Sequence, residues 1–384
     1  MERFVIHPPE KALAHCVIGV NTGWRHEYPG VRGISHLIEH ALLLGNKEHP
    51  APDIETFRYG FNNDGRTLPE MVLFVCSCLG DDLPRAHDIL RDLVVNPSFD
   101  PERVAHEKKI NILPCTLVGK EETDPYPLAL DWIKNLLFDW DVSLSLGTAA
   151  DLEPLGVDEL VAWHRQAFTP QNMFTCFSGA YREINNDPRG ADQRQAVEPS
   201  KIQRSQWGTK EKILIDPTYV GVEAAFGYTF TDHTPAVDIL QVLLGNNPLS
   251  KLWTDPFKRH AYTNFTDAVW TSTGGGFIIE FSLNDAGGFG LIREELHRLF
   301  DDFQVTQDEL ASAINMRSLH MAKQVEDGMR GLVSLLQKYP LATLKNVDGL
   351  VESYRTVTRD DILALVHATF TRENEYTVFV GPRG

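Results

Sequence analysis

The stretch VDELVAWHRQAFTPQNMFTCFSG, residues 157–179, returns near the end of the chain as RDDILALVHATFTRENEYTVFVG, residues 359–381. At one constant offset the two copies share an Asp, an Ala, a Phe-Thr pair, an Asn and the closing Gly. Each copy has the pattern of a helix, a turn and a strand, and internal self-similarity of this kind indicates duplication. We therefore predict an α+β fold in which one domain is repeated in tandem.

Polar sequence separates the two halves. The segment INNDPRGADQRQAVEPSKIQRSQ, residues 184–206, has no apolar period and is rich in turn-forming residues, which is typical of a linker. We predict an N-terminal domain over residues 1–184, a linker over 185–208 and a C-terminal domain over 209–384.

Hydrophobic periodicity predicts the elements on either side of this linker. An apolar, β-branched run predicts a strand over residues 13–21, and helical spacing predicts a helix over 33–44. A further helix should begin near Asp100 and end or kink at Pro114, because proline removes a donor and clashes with the preceding turn. In the second half, one long helical stretch is predicted over residues 307–339.

Composition and charge exclude several classes of protein. The chain has 384 residues, 36 Lys and Arg against 53 Asp and Glu, and a formal net charge of -17, which argues against a nucleic-acid partner. No apolar run approaches the roughly 18–20 residues that cross a bilayer, so we predict no membrane partner. The start, MERFVIHPPEKALAH, lacks the pattern of a signal peptide. We therefore expect a cytoplasmic protein.

The five cysteines favour the same compartment. Their number is odd and no pair has CxxC spacing, so free buried thiols are expected rather than disulfides or a thiolate metal site. Cys76 and Cys78 are two residues apart in a predicted strand, which directs both side chains to one face.

The residues that indicate chemistry are His36, Glu39 and His40, in the sequence HLIEH. Positions i and i+4 of a helix share one face, so the two imidazoles can hold one Zn²⁺. Zinc lowers the pKa of a bound water to about 7, and the carboxylate between the histidines can take its proton during attack on a peptide carbonyl. This is the inverted order of the HExxH motif. The motif predicts zinc as cofactor, His36 and His40 as ligands and Glu39 as the general base.

The other interpretation of HLIEH is two half-buried polar histidines on an amphipathic helix. The flanking sequence GISHLIEHALLLGN is apolar on the rest of that helix, so the histidines and the glutamate are expected to be buried. Buried polar groups are costly without partners. A metal ion satisfies all of them at once, and we prefer that interpretation.

The sequence resembles the insulinase/pitrilysin-type metallopeptidases, which include the mitochondrial processing peptidase. The resemblance covers nearly the whole chain and rests on five stretches: GWRHEYPGVRG, GISHLIEHALLLGN, NPSFDPERVAHEKK, FTPQNMFTCFSGAY and LLGNNPLSKLW. It implies two tandem α+β domains, each a mostly antiparallel sheet packed by helices, which together form half of a clamshell. It also implies a second subunit of the same fold, in a heterodimer or a homodimer, and a peptide substrate.

The resemblance also implies a third zinc ligand, a glutamate on the helix after FDPE, seven residues beyond another glutamate. The earlier glutamate matches Glu107, and seven residues on stands Pro114, which has no ligating group. Counting back from the downstream Asp-Pro reaches Leu117 instead. Glu107 remains a candidate third ligand, with an indirect or surface role as its alternative. Glu121 and Glu122 are further candidates, although they also fit a solvated acidic loop.

In the second half, the resemblance matches Tyr262 to a substrate-gripping tyrosine of the family. The arginine expected seven residues earlier is displaced in DPFKRHAY, so Arg259 or Lys258 would have to substitute for it. The alternative is that Tyr262 is an ordinary aromatic residue at a strand start.

The run Gly274–Gly276 is not a phosphate-binding loop, because it lacks the Lys-Ser/Thr that follows in that motif. Lying between two predicted strands, it favours a hairpin turn. No Gly-x-Ser-x-Gly elbow and no dinucleotide fingerprint are present.

Two functions follow as hypotheses. The first is a zinc-dependent endopeptidase subunit that cleaves peptides, such as leader peptides or propeptides, inside a dimeric chamber. The second is a catalytically silent partner subunit of a heterodimeric metallopeptidase that lacks the third zinc ligand. A metal-storage or regulatory site is a weaker alternative, because Glu39 would have no role in it.

Overall fold

The computed structural model of the chain describes residues 13–116, 124–142, 145–179, 207–245, 247–339, 344 and 346–382. Residues 185–206 of the predicted linker, together with Leu117, Glu121 and Glu122, lie outside these ranges. The strands are β1 Leu13–Val20, β2 Asn62–Thr67, β3 Val72–Leu79, β4 Met173–Gly179, β5 Glu211–Ile215, β6 Glu223–Phe230, β7 Ala261–Thr271, β8 Gly274–Leu283 and β9 Glu375–Gly381.

The helices lie between these strands along the chain and form layers that pack on the two sheets. They are α1 Ile34–Leu43, α2 Pro52–Tyr59, α3 Leu83–Val95, α4 Pro101–Glu107, α5 Leu113–Cys115, α6 Pro125–Phe138, α7 Ala149–Leu152, α8 Val157–Ala167, α9 Pro235–Leu244, α10 Asp255–Lys258, α11 Gly288–Asp301, α12 Gln307–Glu326, α13 Gly328–Lys338, α14 Val347–Tyr354 and α15 Arg359–Thr369.

The first compact unit contains described residues 13–116, 145–179 and 324–333. Its sheet has the order β2-β3-β1-β4, and every pair in it is antiparallel. One face of the sheet packs on helices α1, α3 and α8 through a core that includes Cys16, Ile18, Leu37, Ile38 and Phe74. Alternate residues of β1 and β3 enter this core, as expected for strands buried on a helix layer.

The second compact unit contains the remaining described residues. Its sheet has the order β5-β9-β6-β8-β7, in which only the outer pair β5 and β9 is parallel. Helices α9, α11 and α15 pack on one face around Phe226, Tyr228 and Phe281. Helix α6 packs on the other face, where Gly227 leaves room for Leu137.

The two sheets repeat one topology, because β2-β3-β1-β4 corresponds to β7-β8-β6-β9, with β5 added at the edge. The repeated sequence forms helix α8 and strand β4 in one unit and helix α15 and strand β9 in the other. Asn172 donates to the carbonyl of Ala167 at 2.8 Å, and Asn374 donates to that of Thr369 at 2.7 Å. The predicted α+β fold with two mostly antiparallel sheets is confirmed.

Two local predictions need correction. The stretch over 307–339 is two helices rather than one. The helical conformation is interrupted at Gly328, the first residue of α13, which has a left-handed φ of 60°. Residues Gly274–Gly276 do not form the hairpin turn but begin β8, the turn lying at residues 272–273. Close packing explains a glycine inside this strand, because a Cβ on Gly275 would lie 2.0 Å from the ring of Phe230.

As predicted, Pro114 disturbs the helical run that begins at Pro101, which ends one residue beyond the proline. The helix continues to Cys115, and the five residues Lys108–Ile112 before the proline adopt π-helical geometry. The wider turn provides an i→i+5 hydrogen bond where proline prevents the i→i+4 one.

All five cysteines are free, and Cys76 and Cys78 are both buried in the first core as predicted. Within the described ranges, no helix has the length and apolar character needed to span a membrane.

Candidate metal centre

Helix α1 carries the HLIEH motif, and a buried carboxylate fixes its beginning. Glu27 accepts hydrogen bonds from the backbone N–H of Gly33 at 2.6 Å and of Ser35 at 2.8 Å. Gly33 precedes the helix with a left-handed φ of 82°, which favours glycine. Burial raises the pKa of Glu27 to about 7, although these two hydrogen bonds oppose that shift. This role of Glu27 was not predicted from the sequence, where its signal is an acidic residue shortly before the start of a helix.

The two imidazoles of the motif lie side by side on one face of α1. The ring centroids of His36 and His40 are 4.9 Å apart, and the ring planes are nearly perpendicular, at 89°. Within the described residues, Nδ1 of His36 is buried without a hydrogen-bond partner. Burial, with a smaller contribution from the charge of His40, lowers the pKa of His36 to about 4. His36 is therefore neutral at pH 7, the form that binds a metal ion.

Glu107, at the end of α4, lies against His40. Its Oε1 is 2.7 Å from Nδ1 of His40 and also accepts a hydrogen bond from Nδ2 of Asn111 at 2.8 Å. A carboxylate on one ring nitrogen orients a histidine and leaves the other nitrogen for a metal. This contact favours the indirect role of Glu107 over direct ligation.

Glu39 is enclosed between helix α1 and strand β2. Its Oε2 accepts a hydrogen bond from the Thr67 hydroxyl at 2.6 Å. Its Oε1 lies so near the backbone of Gly65 that a Cβ added to this glycine would be 2.3 Å from the oxygen. Burial raises the pKa of Glu39, opposed mainly by the hydrogen bond from Thr67. A carboxylate with a raised pKa is suited to accept and return a proton near neutral pH.

Replacing Gly65 with Ala is expected to displace the Glu39 carboxylate, because the new methyl group would occupy its space. For the predicted role of Glu39 as general base, we expect the reaction rate to fall about 10²-fold, since small misplacement of a reacting group has effects of that size. Gly156→Ala is the matched control, because a Cβ there meets its nearest neighbour at an ordinary 3.5 Å. Equal cleavage rates for the two variants would contradict this role of Gly65.

The donor set accommodates a metal ion only in part. His36 and His40 provide two imidazoles with a carboxylate that orients one of them. Pro114, at the position expected for the third ligand, is exposed and has no donor atom. Among the described residues, no group of three or more His, Cys, Asp or Glu side chains is arranged to hold a metal ion. The site therefore has two of the three protein donors that catalytic zinc commonly takes.

The two residues predicted to grip substrate lie in the second unit. Tyr262, near the start of β7, is 60% exposed. Arg259 follows α10 with an exposed side chain, and its carbonyl accepts a hydrogen bond from Asn284 at 3.1 Å. Both side chains are thus accessible from solvent, and their roles remain predictions.

The family model described as insulinase (peptidase family M16) matches residues 4–121, which include α1 and Glu107. This match, together with the zinc protease relatives, supports an insulinase-type member of family M16. An uncharacterised zinc protease of Streptomyces coelicolor is 22% identical over 97% of this chain and 86% of its own length. The mitochondrial-processing peptidase subunit beta of Bos taurus is 21% identical over 83% of this chain and 70% of its own.

The fold of this chain is also found in solved structures. A protease from Helicobacter pylori superposes with a TM-score of 0.79 at 15% identity, covering 98% of this chain and 96% of its own. A structure described as a peptidase M16 inactive domain from Pseudomonas fluorescens gives 0.74 at 17% identity, covering 98% and 94%. These likenesses establish the fold. The family match and the zinc protease relatives support a peptidase or an inactive M16 partner.

Proposed function

We propose that this insulinase-family chain is the zinc-binding subunit of an endopeptidase that cleaves peptides, such as leader peptides or propeptides, inside a dimeric chamber. The observation that carries the proposal is the placement of Glu39. It is buried beside two adjacent imidazoles, held by Thr67 and packed against the backbone of Gly65. A carboxylate held so closely on the face of a histidine pair has the position that a general base requires.

In this mechanism His36 and His40 would hold the ion, and zinc when bound would supply an acidified water and polarise the peptide carbonyl. Glu107 keeps His40 in one orientation through Nδ1. Glu39 takes the proton from the attacking water at its carboxylate and returns it to the leaving amine. Thr67 limits the rotation of Glu39, so the carboxylate is already oriented before substrate arrives.

A second subunit is part of the proposal. Support comes from the relatives named subunit beta of the mitochondrial-processing peptidase, a name that implies a multisubunit enzyme. A partner with the same fold would close the chamber and help to bind an extended peptide. Tyr262 and Arg259 are the candidate peptide-binding residues of this chain.

The second candidate function is a silent partner subunit, and Pro114 is the observation that favours it. An insulinase-type chain with no ligating group at the third position would retain zinc weakly, because two histidines alone form an incomplete site. Such a chain would complete a chamber and hold peptide while its partner performs the cleavage.

Metal removal separates the two functions. For the first we expect about one zinc ion per chain in the purified complex, loss of peptide cleavage after chelation, and recovery on adding zinc back. Metal analysis of this chain alone and with its partner, together with cleavage of an unfolded reporter peptide, makes the measurement. A chain that holds no zinc in a complex that still cleaves would establish the silent-partner function instead.

A further inference from the structure

A buried charged cluster in the second unit has no part in the mechanism above. Its centre is Asp238 on helix α9, whose side chain is fully buried. Two phenol groups donate hydrogen bonds to this carboxylate: Tyr339, directly after α13, to Oδ1 at 3.0 Å, and Tyr354, at the end of α14, to Oδ2 at 3.2 Å. We use the name Asp238 cluster for Asp238, His233, Arg317, Lys338, Tyr339 and Tyr354.

Two cations share the single carboxylate of the Asp238 cluster. The guanidinium of Arg317 on α12 lies 3.4 Å from Oδ1 of Asp238, and the ammonium of Lys338 at the end of α13 lies 3.8 Å from the same oxygen. Arg317 also donates to the Tyr339 hydroxyl, and Lys338 donates to Oε1 of Gln241 at 2.5 Å. Together with the two tyrosines, these contacts join α12, α13 and α14 to one carboxylate on α9.

His233, just before α9, is the member of the Asp238 cluster that can gain a charge. Its side chain is 7% exposed, and Nε2 is buried without a hydrogen-bond partner among the described residues, although it lies 3.7 Å from Oδ2 of Asp238. The rings of Trp270 and Tyr339 pack edge-on against it, with centroids 5.8 Å and 5.1 Å from that of the imidazole. A proton added at Nε2 would place a third buried positive charge beside one carboxylate, which is costly without a further anion.

We propose that the Asp238 cluster is an acid-sensitive switch, which holds α12, α13 and α14 on α9 at neutral pH and releases them when Nε2 of His233 takes up a proton. The switch goes beyond the proposed peptidase function, because it requires neither zinc nor a bound peptide. The second unit therefore has a more loosely packed helix layer in acid than at neutral pH.

The charges that face His233 determine the direction of the switch. Burial lowers the pKa of His233 from its ordinary value of 6.5, the charge of Asp238 opposes that shift, and the charges of Lys338 and Arg317 add to it. Burial also lowers the pKa of Lys338, opposed by the charges of Asp238 and of Asp267 on β7. Both tyrosines of the cluster have a pKa raised by burial, so they stay neutral donors.

The sign of the pH dependence follows from the lowered pKa of His233. The unfolded chain binds this proton near pH 6.5, whereas the folded chain binds it only at lower pH. The stability that neutral His233 permits is therefore complete above pH 6.5 and is lost as the pH falls below that value. Other buried histidines, such as His26 and His87, have lowered pKa values as well, so the effect of His233 is the difference between the parent chain and a variant.

Thermal unfolding of the full chain at pH 7.5 and at pH 5.0 is the first test, with His233→Gln as the variant. Glutamine has no charge at either pH, so between the two pH values the Tm of the variant should fall by roughly 3 °C less than that of the parent. His367→Gln, at an exposed histidine on α15, is the matched control and should keep the parent's pH dependence. Lys338→Gln removes a cation that disfavours protonated His233 and can still donate to Gln241, so it should also reduce the loss in acid.

Hydrogen exchange then locates the change. The parent and His233→Gln are compared at pH 5.0 alone, so that the intrinsic exchange rates are equal. We expect amide exchange in α12, α13 and α14 to be about tenfold slower in the variant, with no difference in the sheet of the first unit. If His233→Gln is too unstable at both pH values, Lys338→Gln replaces it in the same comparison. The proposal is overturned if the variant loses as much stability in acid as the parent, or if the protection that the parent loses lies outside these three helices.

Discussion

Replacing Glu39 with Gln is expected to reduce kcat for peptide cleavage by roughly 10²–10⁴-fold, the usual contribution of a general base. The amide has the same shape and can still accept the hydrogen bond from Thr67, so the fold and the zinc content should not change. It cannot take a proton from water at neutral pH. The measurement is steady-state cleavage of a reporter peptide by the chain assembled with its proposed partner, with metal content determined on the same samples.

Asp64→Asn is the matched control for this substitution. Asp64 is a carboxylate on the same strand as Thr67 and near enough to raise the pKa of Glu39 by its charge, yet its own partner is Arg66. Its neutralisation should change the rate little and shift the acidic limb of the pH–rate profile slightly downward, because a negative neighbour has been removed. Unchanged cleavage by Glu39→Gln would show that Glu39 is not the base.

Helix α1 and the duplicated fold were predictable because local sequence and tertiary environment agree there. In α1 the apolar positions Leu37, Ile38, Ala41 and Leu42 are all buried in the core, so the 3.6-residue period alone locates the helix. The repeat was visible because helix, turn and strand keep the same bounds in both copies. Asn172 and Asn374 donate equivalent hydrogen bonds, which explains why both copies of the repeat have asparagine at this position.

Other features depend on contacts distant in the chain, which no local pattern reveals. Glu107 faces His40 from a helix that begins about sixty residues later. Gly65 approaches Glu39 from a neighbouring strand, and the glycines that begin β8 make room for Phe230. The π-helical segment before Pro114 was also not predictable in detail. Proline predicts a disturbance of the helix but not whether the helix ends or widens into a π turn.

Replacing Pro114 with Glu is expected to raise the zinc affinity of this chain by roughly 100-fold, because it adds a third protein donor to an incomplete site. It also restores a backbone N–H and removes a ring that costs a helix interior about 3 kcal/mol. The measurement is competition with a chromophoric chelator, and peptide cleavage by the chain assembled with its proposed partner should increase with zinc occupancy.

The expected gain depends on helix geometry as well as on the new carboxylate. A π turn contains one residue more than an α turn. Because residues 108–112 are π-helical, the residue that shares a helix face with Glu107 shifts from position 114 towards Cys115. Without proline the helix can return to α geometry, in which Glu107 and position 114 share a face two turns apart. Pro114→Ala is therefore the control, because it relaxes the helix and adds no donor. If Pro114→Glu and Pro114→Ala bind zinc equally, position 114 is not a ligand position.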